Sequence, residues 1–438
     1  MTTPVSARRR RDIIDALRRG AVPVNGLDVM AVGLERFATA TDDDLDRVEG
    51  GGSVFKAVRG EYGAGKTFFT RWLAGHAKRR GFAVSEVQIS ETETPLHRME
   101  TVYRRVTEQL ATEQFPPSAL RPVLDGWIFA LEEDVLAAGT VAEDDAEGLD
   151  RAVGELMDRR LADIGRSTPG LAAALRGYRR ALAAGDQATA DGLAAWLGGQ
   201  PHVAASVRRY AAVKGELDHF GALSFLQGLL TVLRDGGHPG LLLVLDEVET
   251  LQRVRSDARD KALNGLRQLI DEVYAGRFPG LYLVITGTPA FYDGTQGVQR
   301  LAPLAQRLAT DFGLDPRWDN PRAVQIRLTG FSIDALVELG GKVTSLYAEA
   351  YANERVTSVV DDLYVRDLAE AVTGKLGGKV GVAPRIFLKK LVADVLDRVE
   401  QFPDFDPRKS YQLTLRTNEL TEVERNAATS ADHIDLQL

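Results

Sequence analysis

Apolar residues recur along this chain in two rhythms, one helical and one strand-like. Residues 8 to 19 place Ile13, Ile14 and Leu17 on one face and arginines on the other, which predicts a short helix. The turn GAVPVNGLD and a polar segment follow, ending in EGGGS, where three glycines break the chain. Ser53 to Val58 reads as a strand, and Lys66 to about Arg80 as a helix that buries Phe68, Phe69, Trp72 and Leu73. FAVSEVQI alternates as a second strand, and the next helix runs from about Leu96 to Leu110.

From Phe115 to about Gly215 the composition shifts to Ala, Leu, Arg and acids, with breaks at STPG and LGGQP and no β-branched run. That predicts a helical insertion with polar connectors. GLLLVLDE, GLYLVITGT and AVQIRL are short apolar runs of the kind strands buried on both faces need. Helical patterns separate them, so the expected class is α/β with a parallel sheet flanked by helices. Ser332 to about Glu400 is helical again, and YQLTLRT in the tail is a candidate strand.

Composition narrows the chemistry. The 438 residues are 44% hydrophobic and 26% charged, ordinary for a globular protein. With no cysteine in the sequence, disulfides, zinc–thiolate sites and cysteine nucleophiles are excluded, and a reducing cytoplasm is the fitting compartment. MTTPVSARRRRDIIDALRRG starts basic but has no apolar run behind it, so it does not read as a signal peptide, and no stretch reaches membrane-span length. A net charge of -8 argues against a surface that coats nucleic acid indiscriminately, while leaving room for a local basic patch.

GEYGAGKT, residues 60 to 67, has the spacing of a phosphate-binding loop, with a strand before it and a helix after it. Gly60, Gly63, Ala64 and Gly65 let backbone N–H groups curl around phosphates at a helix N-terminus. Lys66 is expected to reach the β- and γ-phosphates of ATP, and the Thr67 hydroxyl to coordinate Mg2+. LLLVLDE ends in Asp246 and Glu247. Asp246 is the second expected Mg2+ partner, and Glu247 the group that polarises the attacking water; an acidic helix cap is the plainer alternative. At the end of VITGTP, Thr286 or Thr288 either orients that water or caps a strand end. Arg307 in APLAQRLATDF is a candidate to complete a neighbouring subunit's site, whereas Arg300 reads as a solvated helix arginine. GVAPRIFLKKL opens a helix with Pro384 at its favoured first position. Arg385 on that first turn either points back at the nucleotide or forms a surface ion pair.

These parts, in this order, resemble the AAA+ ATPases, nearest to the origin-recognition and helicase-loader groups, over residues 51 to 400 apart from the insertion. IIDALRRGAVPVNGLDVMAVG ahead of the loop, GLLLVLDEVETL and NPRAVQIRLTGFS are similar to the BrxD-type ATP-binding proteins of bacterial BREX phage-defence systems. The resemblance implies an AAA+ type P-loop NTPase fold with a small C-terminal helical lid. It implies an N-terminal flanking segment at 1–50, an ATPase core at 51–330 with the insertion at about 115–215, a lid at 331–401 and a short tail at 402–438. It also implies ATP hydrolysis in phage resistance, with a partner helicase or another BREX protein. The forty or so residues after the lid hold no recognisable winged helix, which leaves DNA binding through such a domain in doubt.

SETETP carries Glu91 and Glu93, acids that would repel a phosphate backbone. Arg253, Arg255, Arg259 and Lys261 in VETLQRVRSDARDK are the candidates for contact with DNA phosphates, with a solvated helix face as the alternative. The Arg8 to Arg11 run is a further candidate. Three functions follow: an oligomeric ATPase that binds DNA or loads a helicase, a STAND-like nucleotide switch with slow hydrolysis, and a small-molecule kinase. The Asp-Glu pair and Arg385 favour the first two. The chain carries no long repeat or effector domain that a switch would need, which puts the first ahead.

Overall fold

The apolar runs become strands Val54–Arg59 (β1), Ala83–Gln88 (β2), Leu241–Asp246 (β3), Leu281–Gly287 (β4) and Gln325–Arg327 (β5). They form one parallel sheet in the order β2-β3-β4-β1-β5. All residues of β1 and β4 are buried, as are the first five of β3; for β3 and β4 that is why the sequence reads as a continuous apolar run rather than an alternating one. Each Leu, Ile or Val side chain taken fully out of water there contributes roughly 1.5–3 kcal/mol. The β2–β3 register sets Ala83 against Leu241 and Gln88 against Asp246, so the polar ends of these two strands coincide.

The computed structural model describes residues 6–23, 26–139, 141–142, 144–162, 168–215, 217–377, 384–420 and 424–425. The helices before β3 are Ala7–Arg18 (α1), Glu35–Glu49 (α2), Lys66–Arg79 (α3), Met99–Glu108 (α4), Leu120–Ala137 (α5), Ala146–Arg160 (α6), Pro169–Ala183 (α7), Gln187–Leu197 (α8), Ala205–Tyr210 (α9) and His219–Asp235 (α10). After β3 come Ser256–Tyr274 (α11), Pro289–Asp293 (α12), Ala302–Arg307 (α13), Ile333–Tyr351 (α14), Arg355–Val359 (α15), Asp362–Lys375 (α16) and Pro384–Lys389 (α17). The chain runs on from α17 through a π-helical stretch, Lys390–Leu396, into the helix Asp397–Gln401.

Two compact units emerge. One comprises Met1–Ala40, Val58–Gly75 and Asp311–Leu438; the other comprises Thr41–Ala57 and His76–Thr310. In the first, the predicted face of α1 is buried: Ile13, Ile14 and Leu17 pack in one core with Leu336 and Leu339 of α14 and Ile386 and Phe387 of α17. Ser6 caps α1 through a bond from Arg9 N at 3.3 Å. On α3, Phe69 and Leu73 are buried, while Phe68 and Trp72 are partly buried against that core. In the second unit, Lys56 of β1 is buried and 3.4 Å from Asp44 Oδ2, which also accepts from Tyr282 Oη at 3.0 Å. Burial holds the Asp44 carboxyl above its ordinary range, with Lys56 and Tyr282 opposing that shift.

Two local expectations change. The polar segment before EGGGS contains α2, whose Phe37, Leu45 and Val48 are buried at helical spacing while Asp43, Asp46 and Glu49 are exposed. YQLTLRT does alternate, with Tyr411, Leu413 and Leu415 leaning on the core, but it pairs with no strand among the described residues. Alternation alone records a one-sided burial, not a ladder. The approach to Pro384 at 381–383 and the tail beyond 425 lie outside the described residues.

Candidate functional site

In the first unit, β1 delivers the chain to Gly60 and α3 begins at Lys66, so GEYGAGKT is a loop between a buried strand and a helix. Gly63 and Gly65 have φ of 83° and 88°, a left-handed backbone that a side chain at Cβ would strain. The loop therefore curls with glycine where it must. Lys66 is 9% exposed, and its Nζ donates to Gly60 O at 2.9 Å and to Glu61 O at 3.4 Å. The same ammonium stands 5.1 Å from the Tyr62 ring centroid. Its charge is thus held inside the ring of backbone that Gly60 through Thr67 make. No acid occupies the first turn of α3, so nothing cancels the positive end of the helix dipole there.

Two hollows in the same unit border this loop. Thr67 and Arg71 form one wall of a cleft of about 800 Å3 whose other wall is α1, with Arg8, Arg9, Asp12 and Arg19. Arg71 is fixed by donating to Val22 O at 2.7 Å. A smaller hollow of about 300 Å3 lies against Ala64, Gly65 and Phe68, lined by Phe37 and Phe331 and rimmed by Arg36. One is charged and the other aromatic. Arg385, in the first turn of α17, is engaged by Glu424 and by the carbonyl of Glu419.

In the second unit, the ends of β3 and β4 assemble a separate cluster. The Thr286 hydroxyl donates to Asp246 Oδ1 and accepts from Glu247 N at 3.1 Å, and Glu247 N is also 3.1 Å from Asp246 Oδ1. Glu247 takes φ 59° and ψ 43°, an uncommon backbone for a non-glycine residue, which turns the chain sharply as it leaves the strand. Its Oε2 accepts from Gln88 Nε2 at 2.8 Å. Gln88 belongs to no motif that sequence reasoning would single out; its one signal is its place at the end of FAVSEVQI, one strand over from LLLVLDE. Thr288 is buried and stands at the N-cap of α12 without a side-chain capping bond. Of the two threonines, Thr286 is the one in contact with the acids.

The candidate arginines are placed differently from one another. Arg307 donates through Nε and Nη2 to Asp271 and through Nη1 to Pro303 O at 2.7 Å. Arg300 is bound to Asp260 and to Ser256 Oγ at 2.8 Å. Arg259 donates to the carbonyls of Leu251, Gln252 and Val254, which close the turn before α11, and also to Gln296. Arg253, Arg255 and Lys261 are exposed. Among the described residues no group of three or more His, Asp or Glu has the arrangement of a metal site, and no helix is long and apolar enough to cross a membrane.

Comparison with family models finds one that spans residues 5–415, described as BREX system ATP-binding protein BrxC/D. The chain belongs to that family. No curated protein and no solved structure matches it.

Proposed function

We propose that the protein binds and hydrolyses ATP as an AAA+ ATPase of a phage-defence system. The observation that carries this reading is the phosphate-type loop with Lys66 folded into it. Bound phosphates would take over the Lys66 ammonium from Gly60 O, exchanging a neutral acceptor for charged ones. Thr67 and Asp246 supply a hydroxyl and a carboxylate, the oxygen donors that Mg2+ takes, and both are assigned to it. When bound, the ion would neutralise charge on the phosphate oxygens. Glu247 is assigned to polarise the attacking water, with Thr286 fixing its backbone. Arg385 and Arg307 are assigned to the nucleotide's phosphates, Arg307 on a neighbouring copy.

In this reading the protein works as a homo-oligomer on DNA or on a partner helicase. Exposed Arg253, Arg255 and Lys261 are the phosphate contacts it has to offer. Arg259 serves the turn beneath them instead. ATP turnover and ATP binding of the wild type, Lys66→Ala and Glu247→Gln test the assignment.

A further inference from the structure

Arg385 is the second residue of α17, and its guanidinium is held from one direction by the C-terminal segment of its own unit. Nε donates to Glu424 Oε1 at 2.9 Å, and Nη2 donates to Glu424 Oε2 and to Glu419 O at 2.7 Å. The Glu424 side chain is 3% exposed, so the carboxylate end of this forked pair is buried, while the Arg385 side chain stays partly exposed. A lysine–carboxylate contact holds Glu419 as well. Lys390, 5% exposed, donates from Nζ to Glu419 Oε2 at 2.8 Å, and Arg416 N donates to the same oxygen at 3.2 Å. Ahead of it, Tyr411, Leu413 and Leu415 lie partly buried along the helical core. Gly20, at the turn after α1, closes the other side, where an added Cβ would stand 3.0 Å from Arg385 Nη1.

Glu419 and Glu424 both lie past residue 415, where the family match ends, so membership of the family does not imply this arrangement. We infer that Glu419 and Glu424 act as an autoinhibitory strap on α17: Glu424 occupies the guanidinium of Arg385 in place of a nucleotide phosphate. The inference rests on the proposed role of Arg385 at the nucleotide. A carboxylate and a phosphate offer the guanidinium the same forked pair of oxygens, and one guanidinium cannot serve both. Nucleotide engagement and strap release are therefore linked, and whatever holds the strap open raises nucleotide affinity. The Lys390–Glu419 contact does not involve the Arg385 side chain, so it sets how readily the strap lets go.

The test is binding of a non-hydrolysable ATP analogue with magnesium to the full chain, alongside tryptic cleavage at exposed Arg416. Glu424→Gln is expected to bind the analogue at least about tenfold more tightly, the loss of about one charge-assisted hydrogen bond. That gain should vanish in Glu424→Gln/Arg385→Ala. The analogue should also speed cleavage at Arg416 in the wild type. Glu419→Gln, at a partly exposed carboxylate, should show the same two changes more weakly and covers the case in which Glu424→Gln melts early. Wild-type affinity in a folded Glu424→Gln, or a gain that survives without Arg385, overturns the strap. Lys66→Ala separates the two claims. If it abolishes analogue binding while Glu424→Gln changes nothing, only the strap falls; if it binds normally, the nucleotide-site reading falls as well.

Discussion

Gln88 Nε2 donates to Glu247 Oε2 at 2.8 Å, tying the last residue of β2 to the residue that follows β3. The register explains the meeting: Gln88 is opposite Asp246, and the left-handed turn at Glu247 brings the carboxylate back toward the β2 side. A carboxylate held this way is not fully available to a water. Gln88→Ala should therefore raise basal ATP turnover about fivefold, the equivalent of about 1 kcal/mol for one hydrogen bond. A steady-state ATPase assay decides it, and an unchanged or lower rate removes Gln88 as a restraint.

The basic residues after Glu247 divide into surface charge and scaffold. Arg253→Glu/Arg255→Glu should weaken duplex DNA binding and flatten the plot of log affinity against log salt by about 0.9 for each phosphate the protein no longer neutralises. Fluorescence anisotropy over a salt series reads both. Arg259→Ala, by contrast, should lower the melting temperature, because three backbone carbonyls are left without their donor. An unaltered salt slope in the double variant leaves Arg253 and Arg255 as ordinary solvated charge.

Asp44 is the counter-charge of buried Lys56. Asp44→Ala removes a carboxylate partner of that ammonium and also the acceptor of Tyr282 Oη, which should cost about 1–3 kcal/mol of stability. Chemical denaturation at neutral pH measures the loss. A cost below about 1 kcal/mol, the range of an exposed ion pair, would mean that water reaches Lys56.

Local pattern carried much of this molecule. The strand runs, the face of α1 and the loop spacing all depend on neighbours within a few residues, and each lies where the pattern put it. What escaped was set by distance along the chain. Gln88 and Glu247 are 159 positions apart, and Arg385 and Glu424 are 39 apart; no periodicity links such pairs. Arg259 looked like surface charge because its partners are backbone carbonyls, which every sequence offers and none advertises. The helix α2 was obscured because acids crowd its outer face, although Phe37, Leu45 and Val48 mark the inner one.

Arg307 is tied to Asp271 within its own chain, so service to a neighbouring copy requires that pair to open. Arg307→Ala and Lys66→Ala, each inactive alone, should recover measurable ATPase activity when mixed, because hybrid interfaces join one intact loop to one intact arginine. Zero recovery across mixing ratios confines Arg307 to its pairing with Asp271.

The central claim is that the Lys66 loop binds ATP and that Glu247 drives its hydrolysis. Single-turnover filter binding with radiolabelled ATP reads bound and cleaved nucleotide in one experiment on the wild type, Lys66→Ala and Glu247→Gln. Lys66→Ala should retain no ATP, while Glu247→Gln should retain it as the wild type does and cleave it at least about 100-fold more slowly, the usual worth of a general base. Wild-type ATP retention by Lys66→Ala, or wild-type cleavage by Glu247→Gln, would contradict the account.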